Sequence, residues 1–360
     1  MNGERETEGE GTTMNAICRG IVAVAAMLAP AAAGAVETVR NDHYLPSPTD
    51  EGVVVHVAEK YAVTGSPETA RKAVLFVHGA TYPGTSFDLP VPGYNWMDYV
   101  VAHGWSAYYV DIRGYGGSSR PAALDEPASA NPPYARATDA VRDIAVAVDF
   151  IRKRAKVSKV SLIGWSWGTV TTGMFTASNN ALVDKLVLYA PVYSYEHPVL
   201  GPRLADPDNP AQINPALGAY RTVTPDSARQ RWEEQIVPEN KDLWREPGIF
   251  ETWYDEILAT DPKAYETDPP QLRAPNGVLV DAFSIFSGKP VYDASQIGVP
   301  TMIIRGASDP TATDADAQGL FARLGSDTKR YVMIANGTHF ISLEKVAPQM
   351  FREVQTFLDE

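Results

Sequence analysis

The sequence predicts an α/β protein with a mostly parallel, eight-stranded sheet, helices on both faces and a helical lid inserted late in the chain. Three observations carry that expectation. Short β-branched runs alternate with amphipathic helical patterns; several of those runs are apolar throughout, as strands covered on both faces must be; and one stretch, 197–290, breaks the alternation. The chain has 360 residues, enough for one large α/β domain with an insertion.

Taken in order, the first 35 residues read as a targeting segment. From Met14 they carry Arg19, an apolar run from Ile21 to Ala29, and Ala33-Gly34-Ala35 as small residues for cleavage. The run is short for a membrane span. Residues 1–13 are acidic and polar, as they would be if the true start were Met14. The expectation is a secreted or periplasmic protein with no stable membrane span once the signal is removed. That segment holds a net −2 of the −13 total, leaving about −11. It also holds Cys18, the only cysteine, so the mature chain would have neither a disulfide nor a thiol nucleophile. The acidic balance argues against nucleic acid as a partner. The one basic run, Arg152-Lys153-Arg154-Ala155-Lys156, suits the end of a helix.

Past residue 36 comes the first part of the core, 36–196. Val53–Val57 and Tyr61–Val63 read as a leading antiparallel pair. Ala73–Val77 reads as a buried parallel strand ending at His78-Gly79, and Ala107–Val110 as another ending at Asp111. Val141, Ile144, Ala145, Val148 and Ile151 form one helical stripe. Val160–Ile163 and Leu186–Tyr189 follow as strands. The second part, 291–360, holds the strands Met302–Ile304 and Tyr331–Ile334, then a closing helix with Pro348 in its first turn. Between them, 197–290 holds thirteen of the 28 prolines and three of the seven tryptophans. An ordered lid is expected, because structureless loops of that length are rare in compact domains.

The chemistry concentrates in Gly164-Trp165-Ser166-Trp167-Gly168, which follows a buried strand and precedes a helical pattern. A serine on a tight strand-to-helix turn needs flanking glycines for close approach, and the next amide, Trp167, then faces a developing oxyanion. Serine needs a base. His339, in Asn336-Gly337-Thr338-His339-Phe340 past the last strand, is the candidate; it makes the adjoining glycosylation sequon read as active-site loop. Asp309, after the strand at 302–305, is the candidate acid in the order Ser, Asp, His; Glu196 is the alternative. The Ala80 amide, in the His78-Gly79-Ala80 turn, is the candidate second oxyanion donor, with Thr81 close behind. Gly114-Tyr115-Gly116-Gly117-Ser118-Ser119 departs from the dinucleotide fingerprint and reads as a tight turn after Asp111. No metal or phosphate signature is present in the sequence, so no cofactor is expected.

Together these segments resemble the α/β-hydrolase superfamily over about residues 50–196 and 290–360. Ser-Trp-Gly at the elbow is similar to proline iminopeptidases, although their early His-Gly-Gly-Pro-Gly loop is replaced here by His78-Gly79-Ala80-Thr81-Tyr82-Pro83-Gly84. Haloalkane dehalogenases and epoxide hydrolases place an aspartate where this chain has Ser166. The resemblance implies a serine hydrolase acting on a small-molecule carboxylic ester through an acyl-enzyme. The alternatives are an aminopeptidase, a lactonase or a C–C hydrolase and, on the same fold, a non-catalytic binding protein. Caps of such families line the substrate pocket, which makes Trp232 and Trp253 candidates, with Trp165 and Thr81 beside the serine.

Overall fold

The computed structural model describes residues 36–360, so the leader read at 1–35 lies outside the described residues. The chain runs β1 (Thr38–Pro46), β2 (Val54–Ala62), α1 (Pro67–Ala70), β3 (Ala73–Val77), α2 (Trp96–Ala102), β4 (Ser106–Asp111), α3 (Ala137–Arg154), β5 (Val160–Trp165), α4 (Trp167–Ser178) and β6 (Val183–Tyr189). It continues through α5 (Leu200–Leu204), β7 (Tyr220–Val223), α6 (Pro225–Glu233), α7 (Ile249–Leu258), β8 (Leu272–Pro275) and α8 (Gly277–Phe286). β9 (Thr301–Gly306), α9 (Asp314–Arg323), β10 (Lys329–Ile334) and α10 (Ala347–Asp359) complete it.

Eight strands form one sheet in the order β1-β2-β4-β3-β5-β6-β9-β10. β2 is antiparallel to β1 and β4, and every pairing from β4 onward is parallel. Parallel strands need crossovers, which the intervening helices supply on both faces. Side-chain alternation divides the core in two. Val74 and Phe76 of β3 face one cluster with Trp96, Val100 and Phe351; Leu75 and Val77 face the other with Ile144, Val148 and Val170.

The leading pair differs from expectation. Val53–Val57 and Tyr61–Val63 lie within and beside a single strand, β2, whose partner is the polar segment β1. The interruption between the runs is Glu59-Lys60, charges that normally mark a turn. Here they are buried because Arg154 pairs with Glu59 at 3.0 Å and Lys60 with Asp98 at 2.7 Å. β1 escapes a hydrophobic-pattern reading because it is a charged edge strand, half exposed in strict alternation. The two departures offset each other, so the strand total of eight stands.

The insertion is also not purely helical. β7 and β8 pair antiparallel within it, from Tyr220 opposite Pro275 to Val223 opposite Leu272. Its tryptophans Trp232 and Trp253 are fully buried in the same cluster as β3 and α2, so α6 and α7 share one core with the sheet. Among the described residues no helix is long and apolar enough to cross a membrane.

Candidate active site

β5 ends at Trp165 and α4 begins at Trp167, so Ser166 occupies the turn between them with φ 56° and ψ −120°. That is strained backbone for a residue with a side chain, and it persists because the surroundings fix it. A Cβ on Gly164 would meet the Gly168 carbonyl oxygen at 2.3 Å; one on Gly168 would meet the Val77 carbonyl oxygen at 2.3 Å. The flanking glycines are therefore required by backbone contact. The Ser166 amide donates to the Tyr189 carbonyl at 2.9 Å, tying the turn to β6.

Two loops at the same edge supply the partners. Asp309 follows β9 and His339 follows β10. A Cβ on Gly306 would lie 2.3 Å from the Gly337 carbonyl oxygen, so the loops meet backbone to backbone. His339 Nδ1 and Asp309 Oδ2 are 2.7 Å apart, both residues buried. The other Asp309 oxygen accepts the amides of Thr311 and Ala312 at 2.8 and 2.9 Å, which fixes the carboxylate plane. Glu196 is exposed and bridges to Ser287 instead, so Asp309 is the carboxylate that the histidine meets.

The rest of the base loop is anchored on two sides. The His339 amide donates to Gln235 Oε1 at 3.0 Å, and its carbonyl accepts both the Trp165 indole and the Tyr189 hydroxyl at 3.0 Å. Glu344, fully buried, accepts the Thr338 amide and the Trp232 indole, each at 2.9 Å, and the Thr338 hydroxyl. Burial pushes its carboxyl up to about 6, with Asp309 adding to the shift, while the three donors oppose it.

The turn after β3 completes the site. Its His78 is buried; Nε2 accepts the Ile112 amide at 3.0 Å, so this histidine holds the turn in place. The Ala80 carbonyl accepts the Tyr115 hydroxyl at 2.8 Å and Arg221 at 2.7 Å. Neither the Ala80 amide nor the Trp167 amide donates to any other group among the described residues, and both residues line the larger cavity at Ser166. The Gly114–Ser119 segment forms tight turns: Tyr115 and Ser118 amides donate back to Ile112 and Tyr115. Asp111 pins it by accepting the Gly117 amide at 2.9 Å and, through its other oxygen, the Gly84 amide at 2.8 Å.

Ser166 opens on two cavities. One, of about 20 Å3, has room for about a single water and is lined by Tyr82, Trp165, Arg231, His339 and Phe340 with Gly79–Thr81. The other, about 270 Å3, adds Trp167, Arg203, Arg221 and a wall of apolar side chains from α5 and α8, including Leu200, Leu204, Leu279 and Phe286. Trp165 lines the small chamber and Thr81 lines both cavities. Trp232 and Trp253 line neither; their indoles donate inward to Glu344 and to Ser86 at 3.2 Å, and their rings pack on Phe340 and Tyr82. They are the shared core behind the cavity wall. The arginines, Tyr82, Gln235 and Glu344 were not anticipated. Each reaches the site by tertiary packing, and none sits in a motif that would single it out.

A family model described as the alpha/beta hydrolase fold matches residues 72–346. Solved structures with similar folds include the enol-lactonase from Burkholderia xenovorans LB400, with TM-score 0.59 and 16% identity over 88% of this chain and all of that one. The 2-hydroxy-6-oxo-6-phenylhexa-2,4-dienoate hydrolase from Rhodococcus sp. strain RHA1 has TM-score 0.59 and 16% identity, covering 90% of this chain and all of its own. A thermophilic esterase from Thermogutta terrifontis has TM-score 0.58 and 16% identity, covering 89% and 100%. No curated protein matches the sequence significantly. The match to the family model spans most of the chain, and the eight-stranded sheet agrees with it: the chain belongs to the α/β-hydrolase fold family.

Proposed function

We propose that the protein is a serine hydrolase of carboxylic esters, acting through an acyl-enzyme. The observation that carries this reading is the 2.7 Å His339–Asp309 pair beside a serine held on a strained strand-to-helix turn. Ser166 Oγ attacks the ester carbonyl carbon while its proton passes to His339 Nε2. Asp309 keeps the histidine proton on Nδ1 and stabilises the imidazolium. The amides of Trp167 and Ala80 donate to the oxyanion as it forms. Collapse breaks the bond to the alcohol oxygen, which takes the proton from His339. A water then repeats the attack on the acyl group, His339 taking its proton, and releases the acid and Ser166. A lactone, being a cyclic ester, would follow the same steps.

Ser166→Ala is expected to reduce kcat by about 10⁶, the effect of removing the nucleophile from such a triad. The measurement is p-nitrophenyl ester turnover alongside labelling by a fluorophosphonate, which reacts with an activated serine. Retained turnover in the variant would sink the assignment. The leader pattern at 1–35 supports action outside the cytoplasm.

A further inference from the structure

The arginines around the larger cavity have no role in the chemistry above. Arg203 of α5, Arg221 of β7 and Arg231 of α6 all line it, and among the described residues no aspartate or glutamate does. This inverts the composition of the chain, which has 44 acidic residues against 31 basic ones. None of the three guanidinium groups has a carboxylate within 4.0 Å among the described residues, whereas Arg113, Arg245 and Arg273 are all paired that way. Arg221 is held by neutral acceptors alone: the Pro275 carbonyl at 2.9 Å, Asn276 Oδ1 at 3.2 Å, the Ala80 carbonyl at 2.7 Å and Thr81 Oγ1 at 2.7 Å. Its geometry is satisfied and its charge is not. Arg231 makes no side-chain hydrogen bond among the described residues and lines the small chamber as well as the larger cavity. Tyr82 lines that chamber too, and its buried hydroxyl has no partner among the described residues.

Arg203 and Arg231 reach the cavity from solvent-exposed positions, so their charges are hydrated and available to an incoming anion, whereas Arg221 is partly buried with no carboxylate beside it, and there an anion would offset its charge. A substrate carboxylate does so, and Arg offers the forked donor pair that such a group fits. The apolar walls from α5 and α8 suit the carbon chain that joins it to the ester, and a cavity of about 270 Å3 limits that chain to a short one.

We infer that the substrate is a small ester bearing a free carboxylate, which Arg231 and Arg203 bind in the larger cavity while Arg221 holds a fixed positive field behind the Ala80 turn. This rests on the reading of Ser166 as the nucleophile of an ester hydrolase. The two ideas are separable by experiment. The probes are two matched pairs: p-nitrophenyl hemiglutarate with its methyl ester, which varies the acyl side, and 4-acetoxybenzoate with its methyl ester, which varies the alcohol side. The expected result is a kcat/KM ratio of anionic to neutral ester about 10- to 100-fold above unity in one pair. That ratio should collapse in Arg231→Gln, recover in part in Arg231→Lys, and shrink in Arg203→Gln. In parallel, glutarate should raise the thermal midpoint of the intact protein and slow fluorophosphonate labelling of Ser166, both effects being lost in Arg231→Gln. Ester turnover with neutral probes equal to or better than their anionic partners in both pairs overturns the inference while leaving the ester hydrolase intact. If no ester is turned over, the function proposed above fails. The glutarate shift and its loss in Arg231→Gln then decide the anion site alone: absence of a shift overturns it.

Discussion

Asp309→Asn is the substitution whose outcome the geometry fixes most tightly. One carboxylate oxygen accepts two amides, from Thr311 at 2.8 Å and Ala312 at 2.9 Å; the other faces His339 Nδ1 at 2.7 Å. An asparagine in this place must choose which end carries oxygen. Placing its NH2 against the two amides would leave three donors facing one another, at about 1–3 kcal/mol for each buried donor orphaned. The amide oxygen therefore stays with Thr311 and Ala312, and the NH2 points at His339. The histidine can then only accept at Nδ1, so its single proton moves to Nε2, the nitrogen that must take the serine proton. A wrong tautomer of this kind lowers kcat by about 10⁴, or about 5.5 kcal/mol of barrier. The assay is kcat for a p-nitrophenyl ester at neutral pH, with urea unfolding as control, since an isosteric change should move stability by under about 1 kcal/mol. A folded variant within about tenfold of wild type would refute both the role given to Asp309 and the tautomer argument.

The other predictions concern the frame around that pair. Gly168→Ala would drive a methyl group to 2.3 Å from the Val77 carbonyl oxygen, so the variant is expected to lose at least about 1–3 kcal/mol of stability in urea unfolding, and its ester turnover with it. Gln235→Leu removes the acceptor of the buried His339 amide; stability should fall by about 1–3 kcal/mol, with a drop in kcat larger than any change in KM. Glu344 titrates near 6 in the folded protein against 4.5 as its ordinary value. The folded state thus holds that proton more tightly, so the group favours folding at low pH and the benefit is lost as pH rises through 6. Between pH 5 and pH 7 this amounts to about 1 kcal/mol, and the slope should vanish from the pH dependence of unfolding in Glu344→Gln.

How much of this was legible in the sequence follows from where the constraint lies. The elbow, the early turn and the strands that feed them could be read because the chemistry demands contiguous residues. Gly164, Ser166 and Gly168 are required by backbone contacts within a few positions, and β3 and β5 are apolar throughout because both faces are covered. The order Ser166, Asp309, His339 could be read because those residues end strands at one edge of the sheet. What escaped depends on partners distant in sequence. Glu59 and Lys60 look like a turn until Arg154 and Asp98 are brought to them. Trp232 and Trp253 look like pocket walls until α6 and α7 are seen to share the core of the sheet. Arg203, Arg221 and Arg231 are scattered over the insertion, and only the pairing of β7 with β8 and the packing of α5 and α6 gather them at Ser166.

The insertion is therefore part of the catalytic frame as much as a cover for it. The base loop is bonded on one side to the body of the fold, through Trp165 and Tyr189, and on the other to α6 and the residues after it, through Gln235 and the Trp232–Glu344–Thr338 chain. Swinging α6 away as a rigid flap would break the bond to the His339 amide and orphan the Trp232 indole against a buried carboxylate. Each such loss is comparable to a large share of the margin by which a domain of this kind is stable. Among the described residues the opposite wall of the larger cavity, from α5 and α8, makes no hydrogen bond to His339 or Asp309, although Asp281 of α8 accepts the Trp167 indole at 3.3 Å. Movement there would widen the cavity without disturbing the base. The geometry thus assigns the two sides of the insertion different duties: α6 holds the histidine in register, while α5 and α8 shape the space that the substrate chain fills.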